Sequence, residues 1–362
     1  MPSNNDTILS KAITFLRFPL IVAVVFIHSD FNDLMVNGTL LVSAGQFPIY
    51  DSAYHLVSNE LARIAVPLFF FISGFLFFYH SDFSKKTYVA KLKKRSKTLL
   101  IPYVFWNLLV ASLLLAVQLL FPSITSGRTG RLIDNSWLDW LGLLWTYRDG
   151  YPVCFQLWFI RDLIVVVLFS PIIYYLLKYC KVLGIIALGS LWLSGLWQDV
   201  PGFGVTAFFF FSLGAWFSIS QRDFTVDFSS MRWTATLIYV ALVALDTWLW
   251  NSQVTDAPYV KKIGIIVGIV TVISWTAYGI KENRIQPNAF LAGSSFFVYA
   301  YHGMFISFVI KCYAKLLFPI EEWMLLVGYI LIPLLTVGIG VCIYALLRKY
   351  FPTLTALITG GR

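Results

Sequence analysis

Two ionisable residues, Arg17 and His28, bracket an apolar stretch near the start of the chain, FPLIVAVVFI. They are eleven residues apart; at 100° per residue they fall about 20° from one another after three turns, on one helix face with a rise of about 16 Å between them. An ionisable group in a bilayer span costs a few kcal/mol on insertion scales and usually faces a cavity or a partner. With a reference pKa of about 6.5, histidine exchanges protons near neutral pH, as general acid/base chemistry requires. Arg17 alone equally suits snorkelling to lipid phosphates. As a pair, the two residues draw a polar stripe along an apolar helix and point to function.

The elements that carry this stripe are membrane helices. Of 362 residues, 59% are hydrophobic, 18% aromatic and only 12% charged. That is about half the charged fraction of a soluble domain, which excludes an ordinary cytosolic enzyme, a disordered chain and a nucleic-acid binder despite the net charge of +9. Mean hydropathy is +0.76, and runs of about 20 apolar residues, each enough for one crossing, recur along the chain. The reading is an all-α polytopic membrane protein of about ten transmembrane helices in one bundle. Their expected spans are 13–34, 60–79, 98–121, 156–177, 182–198, 204–219, 232–251, 260–280, 289–315 and 322–348. No repeat or low-complexity tract interrupts them, so residues 1–362 read as a single domain.

With the N-terminus inside, 17 Lys and Arg face the cytoplasm and seven the other side, and Arg17, Arg63 and Arg161 fall within spans or at their edges. The excess places both termini in the cytoplasm, and the expected location is the plasma (inner) membrane. The first apolar stretch lacks a cleavage site and runs on as a span, so it does not read as a signal peptide. Cys154, Cys180, Cys312 and Cys342 are too scattered for a disulfide framework or a zinc site. H-E-x-x-H, P-loop and dinucleotide motifs are absent, and no metal is expected.

The Arg-x10-His spacing in a first helix resembles the membrane-bound acyltransferase family 3. Further stretches are similar to the same family and fall in its order: VPLFFFISGF (66–75), LLIPYVFW (99–106), LWFIRD (157–162) and SFFVYAYHGMF (295–305). The resemblance covers nearly the whole chain. It implies an O-acyltransferase that takes an acyl group, by default acetyl, from cytoplasmic acyl-CoA. The acceptor it implies is a hydroxyl on an outward-facing cell-surface glycan or its lipid-linked precursor. His28 is the residue implied as catalytic, as base on the acceptor hydroxyl or as transient carrier of the acyl group, with Arg17 serving both catalysis and the donor.

The other candidates follow from the same resemblance. Arg161, beside Trp158 and Asp162, corresponds to the family's Trp-Phe-x-Arg stretch and would hold donor or acceptor, unless it is a structural ion pair. His302 corresponds to a family histidine and, with Tyr299, would line a cavity or simply pack. Lys94 and Lys97 stand where relatives often carry two arginines. With their basic neighbours they suit the phosphates of acetyl-CoA, though topogenic charge beside membrane lipids explains them equally. Ser73 and Gly74 read as close packing and not as a nucleophile elbow. For His28 an acid partner is sought in Asp30, about 200° around the helix, or in Glu60. Asp246 sits unexplained in an apolar run, and His55 and His80, placed outside the membrane, carry no assignment. The competing reading is a multi-pass transporter or flippase for a glycan or small solute. Against it, the paired broken spans that many transporters show are lacking.

Overall fold

The computed structural model describes residues 4–36, 38–120, 132–147, 149–254 and 258–361. Arg128, Arg131, Arg148 and Arg362, which enter the charge count, lie outside the described residues.

Helix α1 (Asn4–Ile27) is followed by a hairpin of β1 (Leu34–Val36) and β2 (Thr39–Val42). Helix α2 (Pro48–Tyr54) runs through a π turn (His55–Leu61) and a 3-10 turn (Ala62–Ile64) into α3 (Ala65–Phe78). Helix α4 (Lys85–Arg95) likewise passes through a π turn (Ser96–Leu100) into α5 (Ile101–Leu120). Then come α6 (Trp137–Trp145), α7 (Trp158–Leu168), α8 (Ser170–Cys180), α9 (Val182–Ser194), α10 (Val205–Ile219) and α11 (Phe224–Ser229). The chain closes with α12 (Arg232–Asn251), α13 (Pro258–Lys281), α14 (Ala289–Leu316), α15 (Glu322–Tyr350) and α16 (Pro352–Thr359).

Each of the ten expected segments falls on apolar helix, but their lengths differ. Among the described residues, seven helical stretches are long and apolar enough to cross a membrane. The eighth is a pair, Phe155–Leu168 and Ser170–Cys180, bent by 61°. Pro171 opens the second half of that pair, where its missing N–H and ring break the helical ladder. The remaining two, α9 and α10, have 13 and 15 residues, short of the roughly 20 that one straight crossing needs. Hydropathy detects apolar runs and is blind to bends, which is why it counts each of the ten as a span.

The first span also ends earlier than expected, at Ile27 rather than 34. Turn formers take over: Asp30 Oδ1 accepts the Asn32 N–H at 2.9 Å, and Asp33 and Gly38 adopt positive φ. His28 therefore stands at the helix end, its N–H still bonded to the Val25 carbonyl at 3.2 Å. In the core, α3 and α10 meet backbone to backbone. A Cβ on Gly74 would collide with the Phe211 carbonyl, and one on Gly214 with that of Phe71, as small residues at helix crossings in membranes allow.

Candidate active site

Two helix faces converge on one place. On α1, Arg17, Ile21 and Val24 line a cavity of about 140 Å³, and His28 is the next position on that i, i+4, i+7, i+11 stripe. On α14, Ala292, Ser295 and Tyr299 line the same cavity, and His302 is the next position on that stripe. The cavity lies between these faces and α3 (Val66, Phe69, Ile72, Ser73, Leu76) and α7 (Phe159, Ile160, Leu163). Just past its Val24 and Tyr299 end, the His28 and His302 rings stand with centroids 5.3 Å apart and 33° between their planes. Phe155 meets His28 edge-on at 5.1 Å. His302 is fully buried, and His28 is half-buried.

The turn Phe155–Leu157 is fastened to α14 and so holds Phe155 on His28. Gln156 Nε2 donates to the Ala300 carbonyl at 2.8 Å, and the Tyr299 hydroxyl donates to the Gln156 carbonyl. Gly303 leaves room for the Gln156 side chain, which a Cβ there would strike.

At the other end of the cavity stands a residue that the sequence marks only as one of the basic cluster around Lys94 and Lys97. Arg95, the last residue of α4, lines the cavity with Arg17, whereas Lys94 and Lys97 are exposed. Successive helical residues point 100° apart, so Arg95 turns inward where Lys94 does not, and Lys97 lies in the π turn that follows. Ser84 caps α4, accepting the Thr87 N–H at 3.2 Å. Below the π turn, Trp106 Nε1 donates to the Ile358 carbonyl of α16 at 3.0 Å. Among the described residues, no carboxylate within salt-bridge distance pairs with Arg17 or Arg95. A second cavity of about 330 Å³ adjoins the first at Arg17 and Leu76 and is walled by Leu9, Ile13, Phe75, Tyr79 and His80. Two guanidiniums without a carboxylate partner among the described residues carry the donor geometry that suits an anion.

The remaining sequence candidates lie elsewhere. Arg161 is buried, bonded to Asp162 Oδ1 at 3.1 Å and to the carbonyls of Trp145 and Gly150 at 2.7 and 2.6 Å. This is the arrangement of the structural ion-pair reading, and neither Arg161 nor half-buried Trp158 lines the cavity. Asp30 faces the Tyr50 hydroxyl at 3.4 Å. Glu60 faces Lys261 at 3.2 Å. Neither acid is bonded to His28. Glu60 instead joins a buried group that also accounts for Asp246. His55 Nε2 lies 3.0 Å from Asp246 Oδ2 and 4.0 Å from Glu60 Oε1, and its ring stacks on Trp250 at 4.6 Å. The three candidate ligand atoms of this group lie within 4.8 Å of one another, with the Lys261 ammonium supplying positive charge there. His55, assigned nothing from sequence, is thus buried inside a long helical stretch. The only sequence signal was Asp246 in an apolar run.

The family model described as an acyltransferase domain matches residues 10–345 of this chain. The succinoglycan biosynthesis protein ExoH of Rhizobium meliloti (strain 1021) is 28% identical over 170 residues, 46% of this chain and 43% of that protein. The similarity thus spans under half the length of this curated relative. No solved structure matches.

Proposed function

This chain belongs to that membrane acyltransferase family, and we propose that it moves a short acyl group, acetyl by default, from cytoplasmic acyl-CoA to a hydroxyl of an outward-facing glycan or its lipid-linked precursor. One observation carries the reading: a cavity with Arg17 and Arg95 at one end is lined by Val24 and Tyr299, each one helical turn from the neighbouring rings of His28 and His302. Arg17 and Arg95 hold the phosphates of the donor, with the exposed Lys94 and Lys97 adding a diffuse positive field. The acyl-pantetheine arm runs along the apolar walls toward His28. His28 takes the proton of the acceptor hydroxyl, the oxygen forms a bond to the thioester carbonyl carbon, and the C–S bond breaks. The thiolate leaves and is reprotonated as coenzyme A. Both termini lie in the cytoplasm, as the 17-to-7 split of basic residues supports, which puts His28 toward the outer side. The name of the relative places it in the making of a polysaccharide, which supports a glycan acceptor and makes succinyl the next donor to try.

The test is calorimetric binding of acetyl-CoA and succinyl-CoA to the purified full chain in nanodiscs. Arg17→Ala and Arg95→Ala each weaken binding by about tenfold or more, since a hydrogen bond to a charged group contributes roughly 1.5–3 kcal/mol. Lys94→Ala with Lys97→Ala weakens it less. Equal losses from the lysine pair move the anion site to the loop surface. Folded protein that binds neither thioester moves the assignment to the transporter reading.

Acidification has a fixed sign here. A protonated His28 has no lone pair to accept the hydroxyl proton, so transfer declines toward acid pH. A rate that rises on acidification, with chemistry rate-limiting, removes His28 from the role of base.

A further inference from the structure

Among the described residues, His28 has no acid within hydrogen-bond or salt-bridge distance. Asp30 is taken up by Asn32 and Tyr50 and Glu60 by Lys261. The polar group beside its ring is another imidazole, and that imidazole is fixed in one tautomer. His302 Nδ1 lies 2.6 Å from the Tyr299 carbonyl; a carbonyl only accepts, so Nδ1 carries the hydrogen and Nε2 the lone pair. Nε2 is buried and has no hydrogen-bond partner among the described residues. A buried polar atom left without a partner costs about 1–3 kcal/mol and asks for an explanation.

We propose that His302 is the positioning residue of the His28 base: its unpartnered Nε2 accepts the N–H of the adjacent His28 ring and holds His28 in the tautomer whose other nitrogen faces the acceptor hydroxyl. The inference rests on the reading of His28 as base. The ring centroids are 5.3 Å apart with 33° between the planes, a separation that two imidazoles joined by one N–H···N bond of roughly 3 Å can have; with Nε2 unpartnered as the rings stand, a rotation of the His28 ring forms it. When His28 takes up the hydroxyl proton, the positive charge is shared along the N–H···N bond, and His302 neither gains nor loses a proton. A neutral imidazole does the orienting here that a carboxylate does elsewhere, without the cost of an ionised acid in an apolar layer. The charged and titratable groups around the pair are Arg63 from the 3-10 turn, whose positive charge acts on His28, Tyr54, whose hydroxyl reaches the Ile27 carbonyl at 3.3 Å, Asp30, and Tyr299 and Cys154 on the His302 side.

Two measurements on the full chain in nanodiscs or vesicles decide it. The wild-type protein, ¹⁵N-labelled in histidine, shows His28 as one neutral tautomer with a nitrogen–nitrogen coupling to His302 across the hydrogen bond. Two tautomers in comparable amounts without that coupling overturn the proposal. In vesicles turning over acetyl-CoA, His302→Phe keeps a ring but no acceptor and lowers kcat by 10–100-fold, with KM for acetyl-CoA within twofold. His302→Gln, whose amide oxygen reaches near the Nε2 position, restores most of the loss, whereas His302→Asn, too short to reach it, does not. His302→Phe turning over at the wild-type rate overturns the proposal, and if that variant does not fold, the Gln–Asn pair and the wild-type spectrum decide. Activity surviving in His28→Ala sinks the base itself. Activity lost in His28→Ala but kept in His302→Phe sinks only the positioning role.

Discussion

His28→Ala is expected to abolish acyl transfer while leaving the folded protein able to bind its donor. Positioned general acid/base groups contribute about 10²–10⁴ in rate, so the loss is at least about a hundredfold, some 3 kcal/mol of barrier. Folding is spared because His28 stands at the end of α1, half-buried and bonded to no acid among the described residues. Donor binding is spared because Arg17 lies three turns away, about 16 Å along the helix. Mass spectrometry of the glycan from cells carrying the variant, beside acetyl-CoA binding to the purified variant, measures both. Normal acylated product would remove His28 from the mechanism, and lost product together with lost binding would make it structural.

Asp246→Leu is expected to act on stability alone. Asp246, Glu60, His55 and Lys261 form one buried network at 3.0–4.0 Å, with side chains of the first three between 4% and 11% exposed. Removing one member of a buried charged pair leaves the rest uncompensated and costs about 3–5 kcal/mol. His55→Leu with Asp246→Leu costs less than the sum of the single changes, because the two lose the same interaction. Unfolding in detergent gives the energies, and transfer per folded molecule stays near wild type. A loss below about 1 kcal/mol for Asp246→Leu would mean that water reaches and solvates the group.

Some of this protein is decided by the chain locally. Apolar runs make helices because in lipid each backbone polar group must be satisfied within its own segment. The Arg17–His28 stripe was legible because α-helical geometry fixes which residues share a face, whatever packs against it. The order of aromatic and polar stretches was enough to indicate the family. By contrast, His302 beside His28 and Asp246 beside His55, 191 residues apart in the latter case, are products of helix packing, which no local period encodes. Arg95 entered the cavity and Lys94 and Lys97 did not because only one face of α4 meets it, and Arg161 turned to Asp162 and two loop carbonyls brought there by the fold. Residue types and helical spacing thus determined which polar groups the membrane must tolerate. Only the tertiary structure decided which of them meet, because a buried polar group is held by whichever partner the packing delivers to it.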